Sequence, residues 1–121
     1  MTIRAALVAL HRALVEAERR EHEKTLGRLS GGEFLQALIS DPVFSWLTPL
    51  TTLIVRLDEL DDATDAERTA VLAAARALLS GTEDSEFRRR CAALVQQSPD
   101  VAFAYGAAKT ALRGIPVSSA A

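Results

Sequence analysis

The chain has 121 residues and a mass of 13.0 kDa, enough to bury roughly two thirds of its unfolded surface around one core and too little for a two-domain enzyme. Ala (22) and Leu (17) supply about a third of the residues while only 5% are aromatic, which favours helix over sheet because both lose little on entering a helix. A net charge of -2 with a quarter of the residues charged excludes the basic excess of a nucleic-acid binder and the composition of an acidic disordered chain.

Helix starts and stops are legible along the chain. Helix 1 is predicted from Thr2 to Leu26, with Ile3, Leu7, Leu10, Leu14 and Ala17 inward and Gly27 closing it in a left-handed conformation. Ser30-Gly-Gly-Glu33 reads as a capping box that opens helix 2, whose Phe34, Leu35, Leu38 and Ile39 are expected to face the core. Asp41-Pro42 ends helix 2 and caps helix 3, which carries the strongest apolar stripe of the chain: Val43, Trp46, Leu47, Leu50, Leu53, Ile54, Leu57 and Leu60. Helix 3 is therefore expected to be central. Pro49 inside it cannot donate to the Ser45 carbonyl, so a kink, or a restart capped by Thr48, is predicted there.

Thr64-Asp-Ala-Glu67 is a second capping box, opening helix 4 with Val71, Leu72, Ala75, Leu78 and Leu79 inward before Gly81. Helix 5 should start between Thr82 and Ser85 and bury Phe87, Cys91, Leu94 and Val95. Ser98-Pro99-Asp100 combines a cap, a first-turn proline and a first-turn acid, so helix 6 runs from there through Val101, Ala104, Tyr105, Ala108 and Leu112 to Gly114. No segment alternates with period two. The expected architecture is an all-α compact bundle of five to six helices, its central helix kinked at Pro49, in a single domain over residues 1–114 with a disordered tail at 115–121.

The segment Asp41-Pro-Val-Phe-Ser-Trp-Leu-Thr-Pro-Leu50, continuing through Thr52 to Glu59, resembles a stretch found in small helical bacterial proteins of unassigned function. The resemblance covers about a sixth of the chain and implies a helical fold and a bacterial source, with no activity attached.

Cys91 is the only cysteine, so neither a disulfide framework nor a cysteine zinc site is expected, and a reducing cytoplasm is the expected location. The apolar run Ala5 to Leu10 passes straight into His11, Arg12 and Glu16 without a small-residue cleavage site, and every hydrophobic run is broken well before about 18 residues. Neither a membrane nor a nucleic acid is an expected partner. Residues 29–67 carry one basic and eight acidic groups between flanks that are each net positive, a pattern suited to complementary packing within the chain or between copies.

Four groupings could carry chemistry. His11, Glu18 and His22 fall within 40° of one another on helix 1, the residue types that a metal site or a histidine-ligated haem uses. The two histidines are nonetheless roughly 16 Å apart along the axis, and the more economical reading is hydrogen-bonded side chains with no cofactor. Asp58, Glu59, Asp61 and Asp62 gather at the C-terminal end of helix 3, where the macrodipole disfavours anions, and Arg88, Arg89 and Arg90 are expected to compensate them or to contact an anion or a partner. Around Pro49, the hydroxyls of Ser45, Thr48, Thr51 and Thr52 beside Phe44 and Trp46 suggest a small ligand pocket, with Tyr105 as a further candidate. Cys91 is expected to be an inert core thiol.

No phosphate loop, dinucleotide fingerprint, nucleophile elbow or zincin helix is present. The expectation is therefore a non-enzymatic interaction or regulatory module acting as a homodimer. Helix 1, roughly 37 Å long, would overhang the globule and be covered by a second copy. The alternatives are a metal or haem protein built on His11, Glu18 and His22, and a small-molecule binder or enzyme using the hollow near Pro49.

Overall fold

A computed structural model describes residues 2–40, 42–60, 63–81 and 85–113. It contains α1 (Ile3–Leu26), α2 (Gly31–Ser40), a 3-10 segment (Pro42–Leu47), α3 (Thr48–Asp58), α4 (Asp65–Ser80), α5 (Glu86–Gln97) and α6 (Pro99–Arg113), and no strand among the described residues. The fold is a compact all-α bundle. The expected cap at Asp41, the acids Asp61 and Asp62, and the tail beyond Arg113 lie outside the described residues.

The helix starts are set by short-range hydrogen bonds from side chains that the sequence marks. Thr2 Oγ1 accepts from the Ala5 amide at 3.0 Å, Thr64 Oγ1 from Glu67 at 3.1 Å, Ser85 Oγ from Arg88 at 3.1 Å and Ser98 Oγ from Val101 at 3.3 Å. The Ser30/Glu33 box is reciprocal: the Glu33 amide donates to Ser30 Oγ at 3.1 Å and the Ser30 amide to Glu33 Oε1 at 3.0 Å. Gly27 ends α1 at φ 82°, a backbone conformation that side chains with a Cβ rarely adopt.

The predicted third helix is two pieces. Pro42–Leu47 winds as a 3-10 turn and the α-helix restarts at Thr48. The cap position is Leu47, without a side-chain bond, rather than Thr48. Pro49 consequently lies in the first turn of α3, where a missing amide costs nothing because first-turn amides have no intrahelical acceptor. The bend at this proline is a change of helix type.

That division moves the centre of the fold. α1, not α3, is the central helix: it packs against α6, α3 and α5 and buries Ala6, Leu7, Leu10, Leu14, Val15 and Ala17. α3 buries only Leu50 and Leu53, since Trp46 and Leu47 of the expected stripe belong to the 3-10 segment. Among the described residues, the large apolar side chains found exposed are Leu35, Ile39, Val55 and Phe103, on α2, α3 and α6.

α2 also departs from expectation. It buries no residue; Phe34, Ala37 and Leu38 pack partly against the core, whereas Leu35 and Ile39 are 58% and 74% exposed. Its four large apolar residues span about 140° of the helix surface, too wide an arc for a helix supported on one side. The Phe34 ring holds it, edge-on to Phe44 at 5.9 Å and beneath the Arg19 guanidinium at 4.3 Å.

At the acidic end of α3, Asp58 pairs with Arg4 of α1 rather than with the arginine run, and Arg68 donates to the Leu60 carbonyl at 3.1 Å. No single helix is long and apolar enough to cross a membrane; Gly31–Ser40 and Phe44–Asp58 reach that length and composition only as a bent pair.

Candidate functional site

The hollow with the most coherent chemistry lies where α1, α2, the 3-10 segment and the start of α3 meet. Its volume is about 530 Å³, inside the range of roughly 300–1,000 Å³ typical of small-molecule sites. His11 enters from α1, Leu38, Ile39 and Ser40 from α2, Phe44, Ser45 and Leu47 from the 3-10 segment, and Thr48 and Thr51 from α3. The change of helix type before Thr48 brings the last two groups to one wall.

Thr51 Oγ1 lies 3.2 Å from His11 Nε2 and 3.3 Å from the Leu47 carbonyl oxygen. The hydroxyl has one proton, so it serves either the carbonyl or the imidazole. If it bonds the carbonyl, His11 Nε2–H donates to Thr51; if it bonds the imidazole, Nε2 accepts. Burial lowers the His11 pKa, which keeps the ring neutral at pH 7. Among the described residues, the side chains that line this cleft include no Asp, Glu, Lys or Arg.

The pocket expected from sequence is divided. Phe44, Ser45 and Thr48 line the cleft, but Thr52 opens instead onto a hollow of about 300 Å³ between α3 and α4, shared with Thr48, Pro49 and Arg56. Trp46 turns to the core, its ring 5.7 Å from Phe87. Tyr105 is on the far side, half-buried on α6, where its hydroxyl donates to the Leu79 carbonyl and Lys109 Nζ lies 5.9 Å from its ring. Neither belongs to the pocket. A phenol that ties α6 to the last turn of α4 is a packing device.

His11, Glu18 and His22 do not converge. His11 bonds Thr51, and the His22 ring lies 6.1 Å from Phe44. Glu18 is buried at 7% exposure. Desolvation raises its pKa, with the Glu21 charge adding to the rise and Arg90, Trp46 and His22 drawing it down. The Trp46 Nε1–H is itself buried without a hydrogen bond of normal geometry. Among the described residues no group of three or more His, Cys, Asp or Glu is placed to hold a metal ion, because successive turns of a single straight helix separate side chains that only a second ligand-bearing helix could reunite.

The arginines fan apart as three consecutive helical positions must. Arg88 Nη1 donates to the Ala77 carbonyl at 3.0 Å, at the end of α4, and Arg90 pairs with Glu86 at 3.7 Å. They make no common anion site. Cys91 is buried, and desolvation pushes its thiol up to about 12, the inert core role expected of it.

Sequence reasoning missed the pairing of His11 with Thr51 and the contribution of Leu38, Ile39 and Ser40. The breadth of the apolar arc on α2 was the available signal. Comparison with known proteins adds nothing to this geometry: no family model, no curated protein and no solved structure matches the chain.

Proposed function

We propose that this chain is a helical small-molecule-binding module whose site is the cleft between α1, α2 and the 3-10 segment. The observation that carries the reading is the His11–Thr51 pair, set at 3.2 Å in a hollow walled by Leu38, Ile39, Phe44 and Leu47. Apolar walls with a few converging polar groups are the usual composition of a ligand site. Binding is favoured over catalysis because the Thr51 hydroxyl also lies within bonding distance of the Leu47 carbonyl, which competes with the imidazole for its proton. A reducing bacterial cytoplasm suits a chain with a lone thiol.

Titration with Nile red, an uncharged dye, tests the site. Saturable enhancement at one dye per chain, lost in Ser45→Phe with the helical circular dichroism unchanged, supports it. Absence of saturation, or equal binding by a folded Ser45→Phe variant, refutes it.

A second reading, homodimerisation, rests on Leu35 and Ile39, which are one turn apart on α2 and more than half exposed. Sedimentation would then give twice the chain mass at micromolar concentration and the single-chain mass for Leu35→Glu. A monomer at every concentration removes this reading.

A further inference from the structure

We infer that the cleft selects an uncharged amphiphile, an apolar chain or ring carrying one hydroxyl, over any charged molecule of the same size. The inference rests on the binding reading above and adds the class of ligand.

Two observations lead to it. The first is charge. Among the described residues, the lining of this 530 Å³ cleft has no ionisable side chain other than an imidazole whose pKa burial lowers, in a chain of which a quarter of the residues are charged. A carboxylate, sulfonate or ammonium entering it would lose hydration with no counter-charge from the described lining to replace it.

The second is the hydrogen-bonding state of the His11–Thr51 pair. Since one hydroxyl proton is divided between the Leu47 carbonyl and His11 Nε2, Thr51 Oγ1 keeps a lone pair in either arrangement, and an incoming group must be able to donate to it. An alcohol donates and accepts with the same atom, and so suits both arrangements. An anion only accepts and a quaternary ammonium does neither. Leu38 and Ile39 from α2 and Leu47 opposite them offer the apolar remainder of such a molecule its contact surface.

The test compares four ligands of equal chain length at pH 7.5 by amide chemical-shift titration of the full chain: 1-octanol, octane, octane-1-sulfonate and octyltrimethylammonium. The inference predicts that 1-octanol binds at least about tenfold more tightly than either ion and shifts Thr48 and Thr51. In Thr51→Val, close in shape but without the hydroxyl, 1-octanol should lose about tenfold and fall to the affinity of octane. If an ion binds as well as the alcohol, or if Thr51→Val leaves the alcohol unaffected while the cleft amides still shift, the ligand class is wrong and the site stands. If none of the four shifts the cleft amides, both the class and the site fall.

Discussion

Glu18→Gln removes a charge that the fold does not accommodate well. The side chain is 7% exposed, and its pKa is raised chiefly by desolvation, against the opposing pull of Arg90 and the Trp46 N–H. The folded state therefore holds the Glu18 proton more tightly than the unfolded chain does. The resulting penalty is absent below the unfolded value near 4.5, grows as pH rises towards the raised folded value, and is complete above it. Glutamine matches the side chain in size and carries no charge, so it should stabilise the protein at pH 8 by about 1 kcal/mol, the scale of one imperfectly satisfied buried polar group. For a domain of this size that is about 4 °C in Tm. Trp46, the only tryptophan and buried against Phe87, reports unfolding by its fluorescence. Urea titrations at pH 4.5 and pH 8 should place the variant level with the parent at the lower pH and above it at the higher. A variant less stable than the parent at pH 8, or a difference independent of pH, would refute the placement of this carboxyl in a desolvated site.

Leu10→Ala, at a position with no exposure on the central helix, should cost about 3–5 kcal/mol in a urea titration, whereas Leu35→Ala should change stability by less than about 0.5 kcal/mol; comparable losses would contradict the central place of α1. A Cβ at Gly81 would stand 2.4 Å from the Ala77 carbonyl oxygen and 2.6 Å from Arg88 Nη1, so Gly81→Ala should displace the Arg88 cap and cost about 1–3 kcal/mol. Cys91 should resist a thiol-specific disulfide reagent at pH 8 in the folded protein and react at once in 6 M guanidinium; fast reaction of the folded chain would show the α5 core to be open.

The helix starts were readable because each depends on atoms three residues apart: Thr2, Ser30, Thr64, Ser85 and Ser98 satisfy amides within their own first turn. The Pro42 to Leu47 stretch was not, because a short apolar run with side chains every three or four residues suits a 3-10 turn and an α-turn equally. The same ambiguity assigned Trp46 and Leu47 to a longer helix 3 and so gave that helix the central role that α1 holds. At the site, Phe44, Ser45, Thr48 and Thr51 could be associated through their proximity to Pro49. Thr51 and His11 are forty positions apart, and no periodicity links residues on different helices. Trp46 and Tyr105 were misplaced for a related reason: an aromatic ring signals burial without saying which wall it faces.

Intermolecular nuclear Overhauser effects between 1-octanol and the methyl groups of the full-length chain test the central claim most directly. The account predicts contacts from the octyl protons to Leu38, Ile39 and Leu47, with none to Val55 on α3 or to residues bordering the exposed Phe103 on α6. Contacts spread over all the exposed apolar side chains, or confined to Val55 and the Phe103 surface, would contradict it.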